Sequence, residues 1–342
     1  MPRVLSIFRL GDETITLKSG LVAPEVTTKL NTNGTIDEST LDVQGNPVQE
    51  ATADLSVTLP LTLTRALTND VRKRLGDIRT AQGTHGVWAR YDGGKMSGDG
   101  GFENKFNTVQ VGIDTVPTPN SARFGLAFSY TDGESEFGSG KSDLQAFSLA
   151  AYSTWFADNG LFVDVIGRMA TAKNDMKVTV DNLQYKGKTD NTLLSLSGEL
   201  GWRYDLNSMF YAEPQAELTY TYVDGDNFKL GYANYETDST NSLVGRLGAA
   251  FGVKCPNNKG NAYVRASVVR EFLGDAKVMA RTPDVDYVFT TEVETKDTWF
   301  EYGIGANYNI NDNVYVWADV ERTAGGLVDE DVRGTVGIRY SF

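Results

Sequence analysis

From about residue 85 onward, apolar and polar side chains alternate in short runs that recur about every 20 residues, separated by turn chemistry. The run "VRGTVGIRYSF" shows the pattern. One row reads Val332, Gly334, Val336, Ile338, Tyr340, Phe342, and the other reads Arg333, Thr335, Gly337, Arg339, Ser341. A period of two marks a strand with one oily and one wet face. Twelve runs can be read this way: "GVWARYDG", "NTVQVGID", "ARFGLAFSYTDG", "LQAFSLAAYSTWF", "LFVDVIGRMATA", "LLSLSGELGWRY", "FYAEPQAELTYTYV", "SLVGRLGAAFGV", "AYVRASVVREFLG", "WFEYGIGANYNI", "VYVWADVERTAG" and "VRGTVGIRYSF".

Their connections alternate in length. "ADNG", "DLNS", "CPNNKG" and "NIND" are short, whereas "DGESEFGSGKSD", "KNDMKVTVDNLQYKGKTD" and "GDAKVMARTPDVDYVFTTEVETKD" are long and polar or acidic. Short turns on one rim and long loops on the other is the layout of an outer-membrane barrel. The apolar rows often end in aromatics, as in Leu194, Leu196, Gly198, Leu200, Trp202, Tyr204, which suits the headgroup belt of a bilayer. A soluble sandwich or propeller shares the alternation but has no use for the belt. The expected fold is an all-β membrane protein, a 12-stranded antiparallel transmembrane β-barrel with an N-terminal helix threaded through its lumen. An open edge in lipid leaves backbone groups unpaired at several kcal/mol each, so the first and last strands must pair.

Residues 1–64 differ. They are rich in Thr, Asp and Gly, hold few aromatics, and end in the alternating "ADLSVTLPLTLT", which predicts short strands or extended chain. In the following "LTRALTNDVRKRLGDIRTAQG", Leu67, Val71, Leu75 and Ile78 fall at helical spacing. Arg72, Lys73, Arg74 and Arg79 make the other face basic, and Gly83 is a stop signal. The division is therefore 1–64, a helical segment at 65–84, and a barrel at 85–342.

Composition narrows the class. A net charge of −13 argues against sequence-independent nucleic-acid binding. Aromatics at 11% argue against general disorder. No stretch approaches about 18 consecutive apolar residues, so no transmembrane helix is expected, which leaves a barrel untouched. The N-terminal "MPRVLSIFRLGDETITL" lacks a signal-peptide apolar region of adequate length. The single Cys255 lies in a turn and reads as incidental.

The stretch "NDVRKRLGDIRTAQGTHGVWARYDGG", followed by the twelve runs and "GIRYSF", resembles the translocator domain of type V autotransporters. Within that family it is similar to the serine-protease branch of enteric bacteria. "RKRLGDIR", "GVWARY", "FVDVIGR", "SGELGWRY", "AEPQAEL" and "LVGRLG" carry the likeness, over roughly residues 65–342. The resemblance implies a Gram-negative outer-membrane protein with outer-membrane lipid around it and a helix through its pore. It implies that the chain supports export and surface display of its own N-terminal passenger, residues 1–64 being a passenger remnant or linker. It also implies that Tyr340 and Phe342, on the last strand, are read by the barrel-assembly machinery. A monomer is expected. No cofactor or metal is expected, since no Cys–His cluster has metal-ligand spacing.

One constellation could do chemistry. Asp164, Glu199 and Glu217 fall on the polar rows of three neighbouring strands about 4.8 Å apart, so they can share one lumen patch. Crowded, partly desolvated carboxylates raise one another's pKa values and become useful bases. The resemblance implies autocatalytic cleavage in the pore segment, with Asn69 matching the cyclising Asn and the three carboxylates matching the barrel acids. Asp70 departs from the pattern, replacing a second Asn and adding a negative charge to an acidic patch. The competing reading is plain pairing of these acids with Arg72, Lys73 and Arg74. Two rival functions remain. A passive porin-like channel would need a lumen free of the helix. A resident hydrolase would have to be built around His85, the sole histidine.

Overall fold

The structure is a computed structural model. It describes residues 14–17, 25–31, 33–44, 47–67, 83–98, 101–117, 121–138, 140–180, 182–256, 259–281 and 288–342. In chain order the elements are β1 (Thr14–Leu17), β2 (Glu25–Leu30), β3 (Ile36–Gln44), α1 (Pro47–Leu67), β4 (His85–Gly98), β5 (Phe102–Thr115) and β6 (Arg123–Phe137). Then come β7 (Gly140–Phe156), β8 (Leu161–Val180), β9 (Leu183–Trp202), β10 (Tyr204–Asp205), β11 (Phe210–Val223), β12 (Asp226–Leu230) and β13 (Ala233–Thr237). The last are β14 (Thr240–Lys254), β15 (Gly260–Glu271), β16 (Ala276–Arg281), β17 (Val288–Val293), β18 (Asp297–Asn309), β19 (Val314–Ala324) and β20 (Val328–Ser341).

Strands β1, β2 and β3 form a small antiparallel sheet of their own. The others form one closed sheet. Its wall is a 12-strand antiparallel ring of β4 to β9, β11, β14, β15, β18, β19 and β20, as the twelve runs require. Closure comes from β20 against β4, with Val336 opposite Tyr91 and Tyr340 opposite Val87. The Phe342 amide donates to the His85 carbonyl at 3.0 Å, which fastens the foot of the seam.

The alternation sorts side chains as expected. Ile338 is 50% exposed on the outer face, whereas its neighbour Arg339 is fully buried. Such a wall is oily outside and ionic within, the inverse of a soluble protein. Two of the regions expected as long loops hold strands: β8 and β9 continue past the ring as a long hairpin, and β16–β17 stands on the same rim; β12–β13, a hairpin the sequence reading did not single out, stands beside them. Together they make a collar at the long-loop end.

At the opposite, short-turn end, aromatics point inward and each lies on a glycine directly across the ladder. The pairs are Trp88 on Gly112, Tyr152 on Gly125, Phe162 on Gly201, Tyr211 on Gly252, Tyr263 on Gly305 and Trp317 on Gly337. A β-carbon at any of these glycines would collide with the ring resting on it. Glycine therefore serves here as a flat seat, letting a ring close against the neighbouring strand.

One expectation is corrected. The run "ADLSVTLPLTLT" is not extended; it lies within α1, which starts at Pro47 and runs across the expected boundary at 64/65. The cause is the environment. Thr–Leu alternation mimics a strand, but a helix enclosed by a barrel needs no polar face. Thr52, Leu55, Leu59 and Leu63 are all nearly or fully buried. Its hydroxyls satisfy themselves on the helix backbone, Thr52 to the Val48 carbonyl at 2.7 Å and Thr64 to the Pro60 carbonyl at 3.0 Å. Glu50 in the first turn and Arg65 in the last complement the helix dipole. Residues 68–82, the remainder of the expected helix, lie outside the described residues.

Candidate functional site

The three carboxylates expected to share a patch stand in one row. Asp164 on β8 is opposite Glu199 on β9, and Glu199 is opposite Glu217 on β11. All three are buried against the lumen. The row continues to a residue that the sequence reading did not single out: Arg246 on β14, opposite Glu217. Its guanidinium donates to Glu217 Oε2 at 2.9 and 2.6 Å and to Glu199 Oε1 at 3.4 Å. Glu217 also accepts from Ser197 Oγ at 2.9 Å and Thr219 Oγ1 at 3.2 Å, and Asp164 accepts from the Thr154 hydroxyl. Arg246 sits on the polar row of "SLVGRLGAAFGV", so the signal was available in the face assignment.

The C-terminal end of α1 reaches this region. Thr64 and Leu67 line a recess with Ile166, Arg168, Ser197 and Thr219, the last two being hydrogen-bond partners of Glu217. The expected cyclising pair Asn69 and Asp70, and the basic residues Arg72, Lys73 and Arg74, lie outside the described residues.

A second polar centre holds the helix end itself. Arg333 on β20, 2% exposed, donates to the carbonyls of Arg65 at 3.3 Å and Ala66 at 2.9 Å. These are groups that a helix terminus leaves without intrahelical partners. Asp92 on β4 orients Arg333 through two bonds of 2.9 and 2.5 Å, and Glu330 lies 3.3 Å away. The network runs on through Glu321 to Arg265, 2.5 Å away, and Asp319. Arg65 in turn donates to the Val328 carbonyl at 2.8 Å and lies 4.0 Å above the Trp299 ring. The sequence placed Arg333 on the inner row but gave no way to pair it with residues more than 240 positions away.

Tyr340 on β20 and Phe342 just beyond its end face outward, 50% and 63% exposed, with ring centroids 6.3 Å apart. Phe342 also stacks on His85 at 6.1 Å. His85 Nδ1 pairs with the Thr115 hydroxyl at 2.8 Å on the outer foot of the barrel. Among the described residues no group of three or more His, Cys, Asp or Glu side chains could hold a metal ion.

A closed ring of antiparallel strands, apolar outside, charged inside and filled by its own helix, defines an outer-membrane barrel that accommodates a polypeptide. The model of the autotransporter beta-domain family matches residues 87–321, and the chain belongs to that family. It is 28% identical over 282 residues to the serine protease EspC of Escherichia coli O127:H6, covering 80% of this chain and 21% of that protein. It is 26% identical over 350 residues to the serine protease EspP of Escherichia coli, covering 98% of this chain and 26% of that protein. The chain thus spans about a quarter or less of these relatives. Among solved structures, the translocator domain of autotransporter NalP from Neisseria meningitidis superposes with a TM-score of 0.68 at 16% identity, over 86% of this chain and 99% of that one. The beta domain of the Bordetella autotransporter BrkA gives 0.61 at 18% identity, over 76% of this chain and 100% of that one. The chain is thus an autotransporter beta-domain, a barrel of the outer membrane. The porin-like alternative is less supported, since α1 occupies the lumen that a porin leaves open.

Proposed function

We propose that this chain is the membrane-embedded export unit of a longer protein, and that it cuts itself once after export. The observation that carries the export reading is the direction of α1. Its Pro47 end stands among the collar strands, at the rim that faces the cell exterior in outer-membrane barrels. The chain before Pro47 therefore leaves on the outer side, as a passenger remnant or linker should. α1 lies in the pore, and 85–342 forms the barrel. The barrel works as a monomer in outer-membrane lipid. The outward Tyr340 and Phe342 are the surface that the barrel-assembly machinery reads.

The cut is between Asn69 and Asp70. Position 69 is two residues beyond Leu67, and two residues of chain reach at most about 7 Å. The side-chain amide nitrogen of Asn69 attacks its own main-chain carbonyl carbon. A carboxylate of the Asp164–Glu199–Glu217 row takes the amide proton. The C–N bond to Asp70 breaks, a proton returns to the departing nitrogen, and a succinimide remains at position 69. The second reading is structural: Arg246 already pairs with Glu199 and Glu217, so the row, with Arg72, Lys73 and Arg74, only holds the plug.

Mass analysis of protein extracted from outer membranes separates the two. Cleavage gives a chain beginning at Asp70, abolished by Asn69→Ala and slowed by Glu217→Gln. Intact chain alone, unaffected by either substitution, leaves the structural reading. Export is tested apart from cleavage, by surface labelling of residues upstream of Pro47 in Asn69→Ala cells.

A further inference from the structure

We infer that the outward face of β7, β8 and β9, above the lipid-facing belt, holds a phosphorylated glycolipid of the outer leaflet through lysines stacked at several heights.

On this face the ladder sets like charge against like. Lys141 on β7 lies directly opposite Lys177 on β8, and Lys177 lies opposite Lys186 on β9. All three side chains are exposed. Like charges opposed across a ladder destabilise a sheet unless an opposite charge sits among them. Lys188 stands one rung nearer the bilayer, and Lys173 a rung below that. The carboxylates of the same strands do not match this array. Asp143 lies 2.9 Å from Lys177, Asp175 2.8 Å from Lys188 and Asp190 3.6 Å from Lys173. Lys141 reaches across to Glu136 on β6. Lys186 has no carboxylate within 4.0 Å among the described residues. Five lysines therefore meet three aspartates on these faces, in a chain whose net charge is −13. Exposed pairs of this kind are weak, so their lysines exchange readily for a phosphate. The outer face of β6, with Asp132, Glu134 and Glu136, repels the same anion and bounds the patch on that side.

The height of the lysines identifies what carries the anion. Met169 on β8 is 52% exposed and belongs to the lipid-facing belt with Phe147 and Leu194. Lys173 and Lys177 follow it by four and eight residues on the same strand, which on a tilted strand is about 10 and about 20 Å higher. A phospholipid presents its phosphate at a single depth. A ligand that meets both levels bears anionic groups along a chain of sugars, and its acyl chains rest on the belt below. The long hairpin supplies that height: β8 and β9 have 20 residues each, whereas β19, on another side of the ring, has 11.

The test uses the purified full chain in mild detergent, read by native mass spectrometry. The probe is a rough lipopolysaccharide with phosphorylated core sugars. The intact protein should retain it, and Lys177→Gln combined with Lys186→Gln should weaken retention by about tenfold. Lys105→Gln combined with Lys277→Gln removes the same charge from other exposed sites and should change it by about twofold or less. Equal weakening by both pairs means general attraction and overturns the proposal. Stripping the core phosphates from the probe should abolish retention; retention unchanged by that treatment overturns it. Phosphatidylglycerol held as tightly as the glycolipid overturns the argument from height, and displacement of the glycolipid by inorganic phosphate alone overturns the tether. All four lysines are exposed, and unaltered heat-modifiable migration in gels should show that both double variants keep the closed barrel.

Discussion

The two ends of the lumen are filled by different means. At the long-loop end the filling is a separate element, α1, and the wall meets it with aliphatic and aromatic side chains from the collar. At the short-turn end, among the described residues, the wall fills itself: Trp88, Tyr152, Phe162, Tyr211, Tyr263 and Trp317 turn inward and lie on glycines of adjacent strands. Asp114 bonds Arg123 at 2.5 Å there and also pairs with Arg339, joining β5, β6 and β20. The first arrangement depends on a segment that can be absent during export. The second uses only side chains of the wall itself and survives without it. A barrel that must let a polypeptide through and then stand as a membrane protein needs one end built each way.

Deleting residues 47–67 makes the sharpest test of that contrast. Conductance in planar bilayers should change from low to high, and collar amides should lose their protection while β4, β5 and β20 keep theirs. Equal loosening of both ends breaks the comparison. Arg333→Met should come next. It takes the closest cation from buried Asp92, leaving Arg90 at 3.5 Å, and from Glu330, a cost of about 3–5 kcal/mol. A lowered unfolding midpoint and exposure of the α1 end should follow together; a midpoint shift with α1 untouched would separate the latch from the ring. Gly252→Ala forces the Tyr211 ring off its seat and should cost about 1–3 kcal/mol. Hydrogen exchange should place that loss at the short-turn end alone.

The smallest effect is a pH dependence confined to the collar. Burial disfavours the phenolate of Tyr235 and pushes its pKa up to about 12, above the ordinary 10.0. A raised folded-state value means that the contribution is complete below pH 10 and is lost as pH climbs towards 12. Collar protection should therefore fall across that window, less so in Tyr235→Phe, with the short-turn end indifferent to the substitution.

Most of the ring was legible because a membrane strand shows its two faces separately: each of the twelve runs carried its own inside and outside. The carboxylate row was legible for the same reason, since polar-row residues on consecutive strands must be neighbours. The helix was misread where environment overrules pattern. In "ADLSVTLPLTLT" the alternation and the β-branched threonines favour a strand, and only enclosure by the barrel lets such a sequence coil. Arg246 needed only closer attention to an inner row. The Arg333 latch could not have been found, because its acceptors are main-chain oxygens of a helix on the far side of the chain.

The seam between β4 and β20 has a consequence for how such a molecule comes into being. Its two partners are separated by almost the whole ring, so the sheet has raw edges at every intermediate stage. Lengthening the intervening loop adds little entropy cost, because the cost grows only logarithmically. What the seam imposes is order in time: a ribosome must finish β20 before any sealed wall exists. A chain halted one hairpin early cannot become a smaller pore of the same register.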